Sequence, residues 1–234
     1  MSNEEHSSKW DKEYSKQGIP SSIKEEPSGA LIWAMSNWKF ISKNEYPKNS
    51  LDVGCGTGRN SIFINSLGSR VIGFDISKSA IQKANSRLNT ESNNITFEVR
   101  DLSSGLPVDD STIDFISDTF VYKHQVDDEV RKFYRSEANR VLKEDGKFLV
   151  SLAYKDDGYY GQCPIIENGG KLKKIIDPEI DVGSVLFDLK ELVEEMSNFF
   201  SLEMLLDKEK EGIMHGKSYV RHTLATIWRK HVKR

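Results

Sequence analysis

The run Leu51-Asp-Val-Gly-Cys-Gly-Thr-Gly58 constrains the fold of this 234-residue chain more than any other stretch. A short apolar strand, Ser50 to Val53, runs into three alternating glycines, and a helix from about Gly58 to Leu67 follows, with Gly68 as its stop signal. Strand, glycine turn and helix in that order form the first unit of an open α/β sheet, whose ligands sit at the carboxyl ends of the strands. Glycine is needed there because a side chain would hold the backbone away from the ligand. A dinucleotide fingerprint carries glycine at the sixth position counted from Gly54, and that position is Arg59, so a nicotinamide cofactor is disfavoured. Taken alone, the loop stays open to a second reading as a tight turn.

Downstream, short apolar strands alternate with amphipathic helices, the pattern of βαβ units around a parallel sheet. Strands are expected at Arg70 to Ile76, Ile95 to Arg100, Ile113 to Ser117 and Lys147 to Ala153. Ser77 is placed to cap a helix with Ala80, Ile81, Ala84 and Leu88 on one face. Asp127 to Leu142 reads as a helix with Val130, Phe133, Tyr134, Ala138, Val141 and Leu142 inward, closed by Asp145-Gly146. Two helices precede the first strand, the better of them Ala30 to Ile41, with breaks at Gly18, Pro20, Pro27 and Pro47. Lys155 to Gly183 breaks the rhythm and reads as a long lid-like excursion. A helix from Phe187 to Ser197 then leads to strands at Phe199 to Leu206 and Tyr219 to Trp228, giving about seven strands.

Two acids extend the glycine loop into a site. Asp75 ends the second strand about twenty residues past the loop, where a carboxylate can take both hydroxyls of an adenosine ribose. Asp101 ends the third strand, where it can accept from an adenine amino group while Leu102 offers its backbone amide. Each acid alone reads as well as a cap or a solvated turn; all three strand ends together do not.

As a set these motifs resemble the class I S-adenosylmethionine (SAM)-dependent methyltransferases. Leu51 to Gly58 is similar to their first motif, Gly73-Phe-Asp75-Ile-Ser to the ribose-binding acid, and Arg100-Asp101-Leu-Ser-Ser-Gly-Leu-Pro107 to the adenine-side motif. Ile113-Asp-Phe-Ile-Ser-Asp118 resembles the fourth-strand motif, and Asn139-Arg-Val-Leu-Lys-Glu-Asp-Gly146 the helix-to-strand turn of the small-molecule branch. Gly58-Arg-Asn-Ser61 is also similar to the tellurite-resistance and thiol methyltransferase group. The resemblance implies a Rossmann-like three-layer α/β sandwich around a seven-stranded, mostly parallel sheet whose last strand is antiparallel. It implies SAM as cofactor and S-adenosylhomocysteine as product. Gly54, Gly56 and Gly58 would line the methionine part and Asp52 would lie near its amino group, with Cys55, Asn60, Ile76 and Asp118 completing the cofactor set beside Asp75, Asp101 and Leu102.

One domain is expected over 1–234: an N-terminal helical cap (1–49), a SAM-binding core (50–154), a lid-like insertion (155–185) and a C-terminal helix and hairpin (186–234). Methyl transfer needs an acceptor lone pair in line with the methyl and the sulfur, and a general base only where the acceptor must lose a proton. After the fourth strand, His124 is the first choice as base and Tyr122 the second, against the plainer readings of packing and capping. Trp10 and Tyr14 can cover the site, with surface packing as the alternative, and Tyr159, Tyr160 and Cys163 can border the acceptor, with a loosely ordered loop as theirs.

Composition narrows the remaining classes. A net charge of -3 disfavours general binding to nucleic acid, and solvation is the cheaper account of the clusters Lys171 to Lys174 and Arg229 to Arg234. No Cys-x-x-Cys or His-Glu-x-x-His occurs, so no metal is expected; nor does a Gly-x-Ser-x-Gly elbow. The apolar runs are strand-length, no signal peptide is visible, and only two cysteines occur; a cytoplasmic protein is expected, without a membrane partner. The acceptor is expected to be a small molecule. A protein or RNA acceptor, or a SAM-binding protein without transfer activity, are the alternatives. Oligomeric state is not legible.

Overall fold

The computed structural model describes residues 3–16, 24–88, 94–167 and 171–231. Gly18 and Pro20, expected to break the first helices, and the last three residues of the basic tail lie outside that set.

Its frame is a seven-stranded sheet of β1 (Asn49–Val53), β2 (Arg70–Asp75), β3 (Ile95–Val99), β4 (Ile113–Thr119), β5 (Leu142–Ala153), β9 (Phe200–Met214) and β10 (Lys217–Lys230). They lie side by side in the order β3-β2-β1-β4-β5-β10-β9. Neighbours from β3 to β5 are parallel, and β10 runs antiparallel to both β5 and β9. The strand order reverses between β2-β1 and β1-β4, so a crevice opens beyond the carboxyl end of β1, where the glycine loop lies.

Two apolar layers hold the sheet. On one face Leu51, Val53, Ile116, Phe148 and Trp228 pack with the helices α6 (Asp128–Val141) and α7 (Leu189–Met196), through Tyr134, Ala138, Leu192 and Met196. On the other, Val71, Phe115, Leu149 and Ile227 meet α2 (Gly29–Ser36), α3 (Trp38–Ile41) and α4 (Arg59–Ser66), through Leu31, Ala34, Trp38 and Ile64. Side chains alternate across a strand, which is why neighbours such as Phe115 and Ile116 enter opposite layers. The expected three-layer sandwich with its antiparallel strand is therefore the observed one.

Helix ends follow their sequence signals. Ser77 caps α5 (Lys78–Ser86) through the Ala80 amide, Asp127 caps α6, and Asp188 with Glu191 forms a capping box on α7. The tight turn between β9 and β10 places His215 and Gly216 at φ 46° and 77°, as a two-residue hairpin turn requires.

Three expectations are corrected. The inward face of α6 carries Arg131 and Arg135, whereas Phe133 is exposed. Both arginines donate to Glu195 of α7, and this ion pairing offsets their desolvation. Strand β5 begins at Leu142 and carries a register shift, so Asp145-Gly146 lies within the strand rather than at a helix stop. Lys155 to Gly183 is not a plain loop. It includes β6 (Ile165–Glu167), β7 (Lys173–Asp177) and the start of β8 (Val182–Leu186), an antiparallel three-stranded sheet. Every residue of β8 is buried, so it shows none of the alternation that marks a half-exposed strand.

Candidate active site

A cavity of about 740 Å³ lies at the carboxyl ends of β1 to β4. One end is built by the strand-end loops and the other by the 3-10 turn Tyr122–His124, the β6–β8 sheet and the β9–β10 hairpin. The helix α1 (Asn3–Lys16) spans both ends, with His6, Trp10 and Tyr14 on the wall.

At the first end the wall is largely main chain. Gly54 and Gly56 adopt φ 61° and 55°, a left-handed conformation that favours glycine. A Cβ on Gly54 would fall 2.1 Å from Val121 Cγ2, and one on Gly56 would fall 2.4 Å from the Tyr14 hydroxyl. Asp75 Oδ2 accepts from the Gly56 amide and Oδ1 from the Ser77 amide, both at 2.9 Å. Each oxygen keeps a lone pair, so the pair can still receive a vicinal diol. Burial pushes this carboxyl up to about 6. Asp101 accepts from the Ser103 amide at 2.7 Å and, with Leu102, completes the β3 edge of the wall. A buried acid beside close-approaching backbone and a second acid one strand away fit a nucleoside.

Helix α1 is tied across this end by polar contacts. Asp11 Oδ1 accepts from the Ser77 hydroxyl and the Ser79 amide, Ser7 donates to the Ile76 carbonyl, and Lys83 donates to the Tyr14 carbonyl. Trp10 meets the His124 ring edge-on, with centroids 5.0 Å apart.

His124 closes the other end. Its Nδ1 lies 3.1 Å from the Gly183 carbonyl and 3.0 Å from Ser184 Oγ; in the tautomer with the proton on Nδ1, the carbonyl accepts it and Nε2 keeps the lone pair. Burial, reinforced by the neighbouring Lys123, holds the ring's pKa well below the usual histidine value. Lys123 is itself pushed down to about 7 by burial. It donates to Ser184 Oγ and stands 3.5 Å from the centre of the Tyr160 ring.

Of the residues singled out from sequence, Trp10, Tyr14, Gly54, Cys55, Gly56, Asn60, Asp75, Ile76, Asp101, Leu102 and His124 all border the cavity. Five others stand behind its wall. Asp52 accepts from Ser61 of α4, and Gly58 is required because a Cβ there would fall 2.6 Å from Phe97. Asp118 closes the turn after β4 by accepting from the Val121 and Tyr122 amides, and its second oxygen accepts from Tyr134. Tyr122 points its hydroxyl into the Arg135 and Glu195 network, away from the acceptor end. Tyr159 donates to Asp177, and its neighbour Tyr160 takes the cavity wall instead. The Cys55 thiol is buried and its pKa is raised by that burial, the state of a packing residue rather than a nucleophile.

Sequence reasoning did not single out Phe120, Met214 or Arg221 as wall residues. Only the first adjoins a recognisable motif.

Comparison with known proteins agrees with this construction. Residues 51–146 match the family model described as a methyltransferase domain. An uncharacterised methyltransferase of Schizosaccharomyces pombe is 45% identical over 64 residues, covering 27% of this chain and 44% of that protein, less than half its length. A SAM-dependent methyltransferase of Methanosarcina mazei superposes with TM-score 0.66 at 23% identity, over 84% of this chain and 97% of that one. The 1,6-didemethyltoxoflavin-N1-methyltransferase of Burkholderia thailandensis, with 1,6-didemethyltoxoflavin and S-adenosylhomocysteine bound, superposes with TM-score 0.65 at 17% identity, over 99% and 92%. With its glycine turn and its two strand-end acids, the stretch 51–146 is a methyltransferase domain, set in a chain that shares the fold of SAM-dependent methyltransferases.

Proposed function

We propose that the whole chain transfers the methyl group of SAM to a small molecule held between α1, the β6–β8 sheet and the β9–β10 hairpin. The observation that carries this reading is the continuity of one cavity from the Asp75 and Asp101 edge to His124, Tyr160 and Met214, with α1 along its side. Such an enclosure suits a compact acceptor better than a polymer. The bound heterocycle in the Burkholderia protein of the same fold supports the same class of acceptor. An RNA acceptor has less support, because Lys171 and Lys174 of the basic cluster pair with Glu194 and Asp128.

SAM, when bound, supplies a methyl group on a positively charged sulfur. Asp75 would hold the ribose diol and Asp101 the adenine end, while the glycine loop admits the methionine part. Trp10, Tyr14 and Phe120 would keep water from the reacting end. His124 would accept a hydrogen bond at Nε2 from an acceptor O–H or N–H, aiming the acceptor's lone pair. With its pKa held low, the ring orients a donor better than it stores a proton, so a thiol or amine acceptor asks less of it than an alcohol.

Titration calorimetry with S-adenosylhomocysteine tests the cofactor half, and a metabolite screen for the mass gain of one methyl group tests the acceptor half. Binding that Asp75→Ala weakens, followed by methylation of a small molecule, is expected. Absence of binding by the intact protein would overturn the reading.

A further inference from the structure

The geometry points to Arg221 as the anchor for a carboxylate on the methyl acceptor, an inference that rests on the proposed small-molecule methyl transfer. Arg221 lies on β10 and borders the cavity at the end remote from Asp75 and Asp101, beside Tyr160 and Met214. It is more than nine-tenths buried, at 8% exposure. Its Nε is fixed by both oxygens of Asp157, at 2.8 and 3.1 Å. Asp157 is held in turn by the amides of Tyr159, Tyr160 and His222, so the guanidinium plane is set by main chain.

Its terminal amines are not spent. Among the described residues Nη1 and Nη2 make no hydrogen bond with the protein. Neither is among the sealed, orphaned polar atoms, which are Trp38 Nε1, Ser117 Oγ and Arg135 Nε. Both are therefore accessible rather than sealed, and Arg221 is among the residues that border the cavity. Leaving four N–H donors without a partner is costly unless a ligand or water takes them, and a planar fork is matched by a carboxylate.

Charge favours a monoanion over a dianion. Asp157 already balances one charge, and Asp177, which accepts from Tyr159, stands near Lys123. With these charges already paired, a monoanion adds one uncompensated charge where a phosphate dianion would add two. The rest of the chamber, Phe120, Tyr160 and Met214, suits an apolar body between the carboxylate and the methyl-accepting atom near His124.

The test uses two pairs of probes that differ only in charge, benzoate with benzamide and hexanoate with hexanamide, titrated into the protein saturated with S-adenosylhomocysteine. The inference expects at least one acid to bind tenfold or more tightly than its amide. It expects Arg221→Gln to erase that preference while S-adenosylhomocysteine affinity stays within twofold. Equal binding of acid and amide in both pairs, or a preference that survives Arg221→Gln, overturns it. If Arg221→Gln does not fold because Asp157 is left alone, the probe pairs on the unaltered protein still decide. Failure of S-adenosylhomocysteine to bind would instead remove the methyl-transfer reading beneath it.

Discussion

The two ends of the cavity are made of different material. The cofactor end is main chain: two glycines at positive φ, and acids whose oxygens are held by backbone amides. The other end, where the proposed reading seats the acceptor, is side chain: His124, Tyr160, Met214 and Arg221, from four segments spread over about a hundred residues. A wall made of backbone tolerates few sequences. A wall made of side chains is specified by whichever residues happen to face inward, and it can change without disturbing its supports.

The sharpest way to break that contrast is at Gly56. Valine there combines a positive φ with a Cβ in the space of the Tyr14 hydroxyl, and S-adenosylhomocysteine affinity should fall more than about a hundredfold. A smaller loss would mean that the loop is not held as tightly as its geometry implies. Asp75→Ala removes a charged hydrogen-bond acceptor, worth about 1.5–3 kcal/mol, so calorimetry should read a loss of about 10- to 100-fold with folding retained. At the acceptor end, His124→Ala should leave cofactor affinity unchanged and lower kcat on the identified acceptor by roughly tenfold, less than the roughly hundredfold or more of a general base, because the ring orients a donor rather than taking its proton. Full turnover would remove His124 from the mechanism.

A fourth experiment reads the turn between the two ends. Burial lifts the Asp118 carboxyl from 3.8 to about 7. A group raised in this way contributes its full stability below its unfolded pKa and loses that contribution as pH rises through 7. Asp118→Asn imitates the protonated form, so its melting temperature should gain on the unaltered protein between pH 5 and pH 8. A constant difference would argue against a buried carboxylate that titrates there. The smallest effect is expected at Tyr122. Tyr122→Phe deletes a hydroxyl directed away from the cavity and should alter stability by about 1 kcal/mol while leaving turnover within twofold.

The same contrast governs how much the sequence disclosed. Strands β1 to β5, the cap at Ser77, and the wall positions Gly54, Gly56, Asp75 and Asp101 were legible because each follows from local chemistry: a turn, a cap, or a strand end. The inward arginines of α6 were not, because apolarity favours Phe133, and what makes Arg131 and Arg135 tolerable inside is Glu195, about sixty residues away, with the Gln125 and Val126 carbonyls and the Tyr122 hydroxyl. Tyr159 and Tyr160 are adjacent and chemically alike, and a short 3-10 turn decides which one meets the cavity. Arg221 looked like one polar residue among several in a strand, and nothing near it in sequence announces Asp157.

The β9–β10 hairpin gives this division an evolutionary sense. Toward its base Leu224, Ile227 and Trp228 are fully buried in the sheet's two apolar layers, while the same strands continue outward to carry Met214 and Arg221 to the cavity. Anchorage and recognition thus occupy separate lengths of one ribbon. If the proposed acceptor site is right, substitutions in the overhang would retarget the chain to a new acceptor while its fold and its methyl donor are inherited intact.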